Sequence, residues 1–126
     1  QALAEEVQRL GFKKAFLDHP LNPVTGLQPE DLLPIAQAGV HLNFTAFELS
    51  PWVAQDPALL ARLMKELPED RLILSTDGGL EIHPEPVEAL RQLITIMEYS
   101  GVPESRIRAA KIENPCRLLG IPATRS

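Results

Sequence analysis

The sequence predicts an α/β fold in which three parallel βα units are followed by C-terminal helices. Three short apolar runs have the pattern of strands, namely residues 15–17, 40–45 and 72–75. Each run leads into a loop with polar residues and then into a segment with a helical pattern. Strands that alternate with helices in this way pair in parallel through crossover connections. The chain has 126 residues and shows no repeat or internal linker, so we expect residues 1–126 to form a single α/β domain.

The first unit opens with a helix over residues 1–11, which ends at Gly11. The strand over residues 15–17 follows and stops just before His19. A proline comes next and restricts the residue before it, so we expect an extended backbone at His19. Residues 20–28 are rich in proline, asparagine and glycine, a composition that predicts a loop.

The second unit begins at Pro29, which opens a helix that reaches Ala38 and ends at Gly39. Pro34 should kink this helix or delay its start, because proline removes a backbone donor. Residues 40–45 alternate with a period of two, as a strand does.

Helix start signals mark the third unit. Asp56 is followed by proline, which predicts an N-cap and the first helical residue of a helix that ends before Pro68. Residues 72–75 form the third strand, and a longer helix runs from Pro86 to Gly101.

Two more helices are predicted at the C-terminal end of the chain. The first starts at Pro103 and Glu104. Asn114 and the proline after it indicate a second cap-plus-proline start, and Gly120 closes that short helix.

Composition excludes several classes of protein. The formal net charge is −5 with both signs dispersed, and no basic run predicts a nucleic-acid surface. The chain has one cysteine, Cys116, and no apolar run of membrane-spanning length, so we expect a cytoplasmic protein. The first residues do not resemble a signal peptide, and the chain begins with Gln1 instead of Met. We interpret the chain as processed or as a piece of a longer protein.

The candidate site follows from the parallel sheet. Asp77 ends the third strand and precedes two glycines, a position where α/β proteins place their chemistry. Because parallel strands end at one edge, His19, the segment after Thr45 and Asp77 are predicted to converge. An imidazole and a carboxylate suit either a divalent metal such as zinc or an acid–base pair. Alternatively, Asp77 is an ordinary turn residue and His19 caps a neighbouring helix.

Other polar residues have lower rank. Asn22, Asn43 and Glu48 are further candidates near the strand ends, and Trp52 either walls a pocket or packs on a helix. A helix start lowers the pKa of a thiol, but Cys116 has no histidine paired with it in sequence.

Two of the three histidines also have alternative interpretations. His83 either reaches a bound ligand or lies in solvent. His41 lies inside a strand pattern and is expected to be buried and hydrogen-bonded.

Several motifs together resemble a known superfamily. Residues 72–79, the Pro84-Glu85-Pro86 sequence, a helix and residues 114–121 resemble the end of the TIM barrel of amidohydrolase-superfamily, metal-dependent hydrolases. The closest resemblance is to an amidohydrolase-like family of unknown function. His19, with its flanking aspartate and proline, resembles a histidine-bearing strand end earlier in the same barrel. The resemblance implies that Asp77 is a catalytic, metal-associated aspartate and that His19 is a metal ligand or orients the substrate, with zinc as the expected ion.

The chain departs from that superfamily in size and ligands. A (β/α)8 barrel has eight strands, whereas this chain offers three, and it has neither a His-x-His strand nor a mid-barrel ligand. A catalytic zinc normally has three protein ligands, and His19 and Asp77 supply two. We therefore expect a C-terminal barrel fragment that is inactive alone and acts on a small-molecule substrate when complete.

An isolated three-stranded parallel sheet also has two unpaired edges. We expect a missing N-terminal barrel segment or another chain, such as an oligomer partner, to cover them. Two alternatives remain open. One is a non-enzymatic α/β module that binds a ligand or a protein, and the other is a small enzyme with His19 and Asp77 as a metal-free acid–base pair.

Overall fold

The computed structural model describes residues 2–12, 14–79, 81 and 83–123. Within them, three parallel strands form one sheet in the chain order β1-β2-β3. The strands are β1 (Ala15–Asp18), β2 (Val40–Thr45) and β3 (Leu72–Ser75). The α-helices are α1 (Ala2–Leu10), α2 (Leu32–Gln37), α3 (Pro57–Glu66), α4 (Pro86–Tyr99), α5 (Glu104–Arg108) and α6 (Asn114–Leu119). The predicted α/β class with three parallel βα units is confirmed.

Sequence signals at the helix ends act as expected. The Asp56 side chain accepts a hydrogen bond of 2.9 Å from the backbone nitrogen of Ala58, which caps α3. Gly101 follows the end of α4 with a left-handed φ of 76°, a conformation that glycine adopts without steric cost.

The prolines of the second unit delay its helix. Residues Pro29–Asp31 form a 3₁₀ turn, and α2 begins only at Leu32. Pro34 is then in the first turn of α2, where a missing backbone donor costs nothing within the helix. The helix is therefore shorter than the predicted span from Pro29 to Ala38.

Strand β2 is the centre of the core. Val40, Leu42 and Phe44 are fully buried on one face of the sheet, together with residues of the helices that cover it. On the opposite face His41 is also buried, and its Nδ1 lies 3.3 Å from the carbonyl oxygen of Ala15. Burial lowers the pKa of His41. The prediction of a buried, hydrogen-bonded His41 is confirmed.

The C-terminal helices correct one expectation. A π-helical turn, Ala109–Glu113, joins α5 to α6, and Asn114 has helical backbone angles of −69° and −45°. Its buried side-chain amide donates hydrogen bonds to the carbonyl oxygens of Glu69, at 2.7 Å, and of Leu72, at 2.8 Å. The prediction that Asn114 is a helix cap is therefore wrong. Pro115 stands in the first turn of α6, where proline is tolerated because the missing backbone donor is not needed there.

The longest helix of the described residues, α4, has 14 residues. In this described part of the chain, no helix is long and apolar enough to cross a membrane.

Candidate functional site

The residues that follow β1 and β3 come together at the carboxyl-terminal ends of the parallel strands. His19 Nε2 lies 3.2 Å from Asp77 Oδ2 and 3.5 Å from Asp18 Oδ2. The side chain of His19 is 23% exposed, so it remains accessible from solvent. The structure thus brings together the two residues that the sequence singles out, His19 and Asp77.

Both residues have left-handed backbones, with φ of 48° at His19 and 49° at Asp77. The expected extended conformation of His19 is therefore wrong. A tight turn overrides the preference imposed by the following proline, since the backbone nitrogen of Asn22 donates a 2.9 Å hydrogen bond to the carbonyl of His19. A left-handed backbone costs a residue with a side chain about 1–2 kcal/mol, and such strain is concentrated at functional sites.

The middle strand supports the His19 ring from the other side. The Thr45 hydroxyl lies 3.3 Å from His19 Nδ1, and Thr45 itself is buried. Each ring nitrogen of His19 therefore has an oxygen neighbour, which sets the orientation of the ring.

Glu48 is a buried positioning residue. One carboxylate oxygen accepts a hydrogen bond of 2.9 Å from the backbone nitrogen of Thr45, and the other accepts one of 3.4 Å from Leu21. Burial raises the pKa of Glu48. The sequence pattern near the strand ends indicates Glu48 only as a minor candidate, although its spacing from Thr45 is the capping-box pattern that signals this contact.

A row of polar side chains crosses the three strands below the His19–Asp77 pair. The Asn43 amide donates a hydrogen bond of 2.7 Å to Asp18, and the Ser75 hydroxyl donates one of 2.9 Å to the Asn43 oxygen. This row orients the Asp18 carboxylate. Asn22 contributes differently, because its side chain caps its own turn by accepting from the backbone nitrogen of Val24 at 3.0 Å.

Beside the pair lies a cavity of about 450 Å³. Trp52 lines this cavity together with Phe47 and His83, which bears out the pocket-wall interpretation of Trp52. His83 also has a buried Nε2 atom, so it is part of the wall and not a fully solvated loop residue.

Cys116 does not belong to this site. Cys116 lies on α6, close to Asn114. The Asn114 side chain contacts Leu72 at the amino-terminal end of β3, whereas the candidate site lies at the carboxyl-terminal ends of the strands.

The side chains at these strand ends do not form a three-ligand metal site within the described residues. In the described ranges, no group of three or more histidine, cysteine, aspartate or glutamate side chains is arranged to hold a metal ion. His19 Nε2 lies 3.2 Å from Asp77 Oδ2, and these two residues supply two donors, whereas a catalytic zinc has three protein ligands.

No protein-family model, curated protein or solved structure matches this chain.

Proposed function

We propose that this chain is the C-terminal part of the TIM barrel of an amidohydrolase-like, metal-dependent hydrolase, with His19 and Asp77 as ligands of one divalent ion. The observation that carries the proposal is the 3.2 Å separation of His19 Nε2 and Asp77 Oδ2 at the carboxyl edge of a parallel sheet. Two ligands of a tetrahedral zinc ion, each about 2.1 Å from it, lie about 3.4 Å apart. The two donors therefore lie close to the separation that a shared ion would impose, which is also the distance of a direct hydrogen bond between them.

The surroundings of His19 favour a ligand role. A metal-binding histidine almost always directs its other ring nitrogen to an oxygen, which fixes the tautomer and the ring orientation. Thr45 supplies that oxygen at 3.3 Å from Nδ1, and Glu48 holds Thr45 in place through its backbone nitrogen.

Zinc is the proposed ion, because imidazole nitrogen and carboxylate oxygen are among its usual ligands. The ion would supply the activation of water for attack on an amide, ester or lactone-like bond of a small-molecule substrate. Asp77 would serve as a ligand or accept a proton from that water.

The outer side of β1, unpaired among the described strands, supports the idea of a larger assembly. Within the described residues β1 has no strand on its outer side, and Phe16 in β1 is 58% exposed. Exposed edges and apolar side chains of this kind are normally covered. We propose that further barrel strands or another chain cover this edge and supply the remaining ligands, and that the chain is inactive without them.

Zinc titration tests the proposal. By isothermal titration calorimetry we expect one saturable zinc ion per chain, weakly bound because two ligands are present. Binding should be lost in His19→Gln and Asp77→Asn. It should be retained in the matched control Asp56→Asn, since asparagine also caps a helix start. Absence of saturable binding, or unchanged binding in Asp77→Asn, would refute the metal site.

A second candidate function is a non-enzymatic module that binds a small ligand, favoured by the cavity of about 450 Å³ beside the strand ends. The direct contact of His19 with Asp77 also suits an acid–base pair without metal. Ligand binding without zinc binding would leave the binding module as the better assignment. Hydrolysis that persists in a chelator would favour the acid–base pair.

A further inference from the structure

The cavity beside the His19–Asp77 pair opens towards the proposed metal ligands. Phe47 and Gly78 line both this cavity and a shallow groove that includes Asp77. The ring of Phe47 also meets the His19 ring edge-on, with the centroids 5.9 Å apart. A molecule bound in the cavity therefore lies next to the atoms proposed to carry the chemistry.

Aromatic side chains form one wall of this cavity. The rings of Phe47 and Trp52 stack at 6.4 Å with an interplanar angle of 21°, and His83 lies 5.4 Å from each of them. Leu93 and Ile96 of α4 also line the cavity. Trp52 is still 58% exposed, so part of its side chain remains available to a ligand. Such walls suit a flat ring, because aromatic pairs gain energy beyond the area that they bury.

Two polar atoms in the wall lack partners. The Ser50 hydroxyl and His83 Nε2 are buried, and neither has a hydrogen-bond partner in the part of the chain that the structure describes. Buried polar atoms of proteins are ordinarily hydrogen-bonded, so a ligand group that reaches either atom after a side-chain rotation would supply the missing partner.

The residues that line the cavity also disfavour a charged ligand. In the described part of this lining, the one ionisable side chain is that of His83. A charged ligand group would lose its hydration here without gaining a counter-charge, which is costly.

We infer that this cavity binds the ring portion of the substrate, an uncharged aromatic group that carries one hydrogen-bonding substituent. An apolar cavity of about 150 Å³ holds benzene, so about 450 Å³ holds a substituted ring and the bond attached to it. The inference deepens the proposed function and rests on it for the position of the scissile bond. Binding of the ring itself requires no metal.

The single tryptophan gives a direct readout of this binding. Trp52 is the only tryptophan of the chain, so its indole N–H produces one resonance in a ¹⁵N–¹H spectrum. Benzamide is the probe, and acetamide provides the same amide group without the ring. We expect a saturable shift of the Trp52 resonance with benzamide and none with acetamide. No saturable shift with benzamide, or equal binding of both amides, would overturn the inference.

Variants of the wall locate the bound ring. Ala89→Leu adds volume at the cavity wall, and Ala58→Leu adds the same volume at an exposed position of α3. The Kd for benzamide should rise about tenfold in Ala89→Leu and stay unchanged in Ala58→Leu. Because Ala89 is buried, Ser50→Ala serves as a second variant that adds no volume, and it should weaken binding several-fold. An unchanged Kd in both Ala89→Leu and Ser50→Ala would contradict the assignment.

A chelator separates the failure of this inference from the failure of the proposed function. Benzamide should bind equally well in EDTA, since no cavity contact involves a metal. Benzamide binding in a chain that does not bind zinc would refute the metal site and leave the cavity assignment intact. Zinc binding without benzamide binding would refute the cavity assignment alone.

Discussion

Glu48 Oε2 lies 2.9 Å from the backbone nitrogen of Thr45, so a buried carboxyl group holds the end of the central strand. The same carboxyl group reaches Leu21, two residues beyond His19. One side chain therefore ties together the two segments that position the His19 ring.

We expect Glu48→Gln to lower the free energy of unfolding by about 1–3 kcal/mol, because the amide offers one acceptor oxygen where two backbone donors need partners. Urea unfolding monitored by circular dichroism measures the change. Glu66→Gln, at an exposed position of α3, is the matched control and should stay within about 0.5 kcal/mol. Equal stability of the two variants would contradict the role of Glu48.

His41 should give the protein a stability that depends on pH. Burial lowers its pKa, so the native state releases the proton more readily than the unfolded state does. The contribution to stability is fully present above the unfolded pKa of about 6.5 and is lost as the pH falls through the folded pKa. We expect His41→Gln to remove this decline, measured as the free energy of unfolding across a pH series. The prediction fails if the variant keeps the decline of the wild type.

Asn114→Asp should destabilise the chain by about 3 kcal/mol or more. The substitution replaces a donor by a carboxylate that faces the carbonyl oxygens of Glu69 and Leu72 without solvent. Asn22→Asp is an informative control, because the Asn22 side chain acts as an acceptor and an aspartate can do the same. Thermal unfolding of both variants tests the difference. A stable Asn114→Asp protein would refute the stabilising role of the Asn114 hydrogen bonds to Glu69 and Leu72.

Ala54→Gly should stabilise the chain by about 0.5–1 kcal/mol. Ala54 is exposed and has a left-handed φ of 50°, so its methyl group is strained. The same substitution at Ala58, an exposed residue in the first turn of α3, should destabilise by a similar amount. Changes of the same sign at the two positions in chemical unfolding would show that backbone strain is not the cause.

The strands and helices were predictable because local residues determine their ends. The cap at Asp56, the stop at Gly101 and the delay caused by Pro34 each depend on a few neighbouring residues. The convergence of His19 with Asp77 was predictable for a different reason, since parallel strands must end at one edge.

Contacts between distant segments were not predictable in this way. The Asn114 amide bonds a carbonyl 45 residues earlier, and no local pattern distinguishes that contact from a cap. The left-handed backbone of His19 depends on the turn that follows, and its proline alone indicates the opposite. The aromatic cavity required the fold, because Trp52 and His83 belong to separate loops.

The strands lie in the sheet in the same order as in the sequence, and this order has a consequence for folding. The contact between Asp18 and Asn43 spans 25 residues, and the one between Asn43 and Ser75 spans 32. As the chain emerges from its N-terminal end during synthesis, each strand can therefore join a neighbour that is already present. The Asn114 amide arrives after all three strands and fastens the last of them at the end away from His19. Of these three contacts, we expect that of Asn114 to form last during synthesis, because Asn114 is the last of the residues to be made.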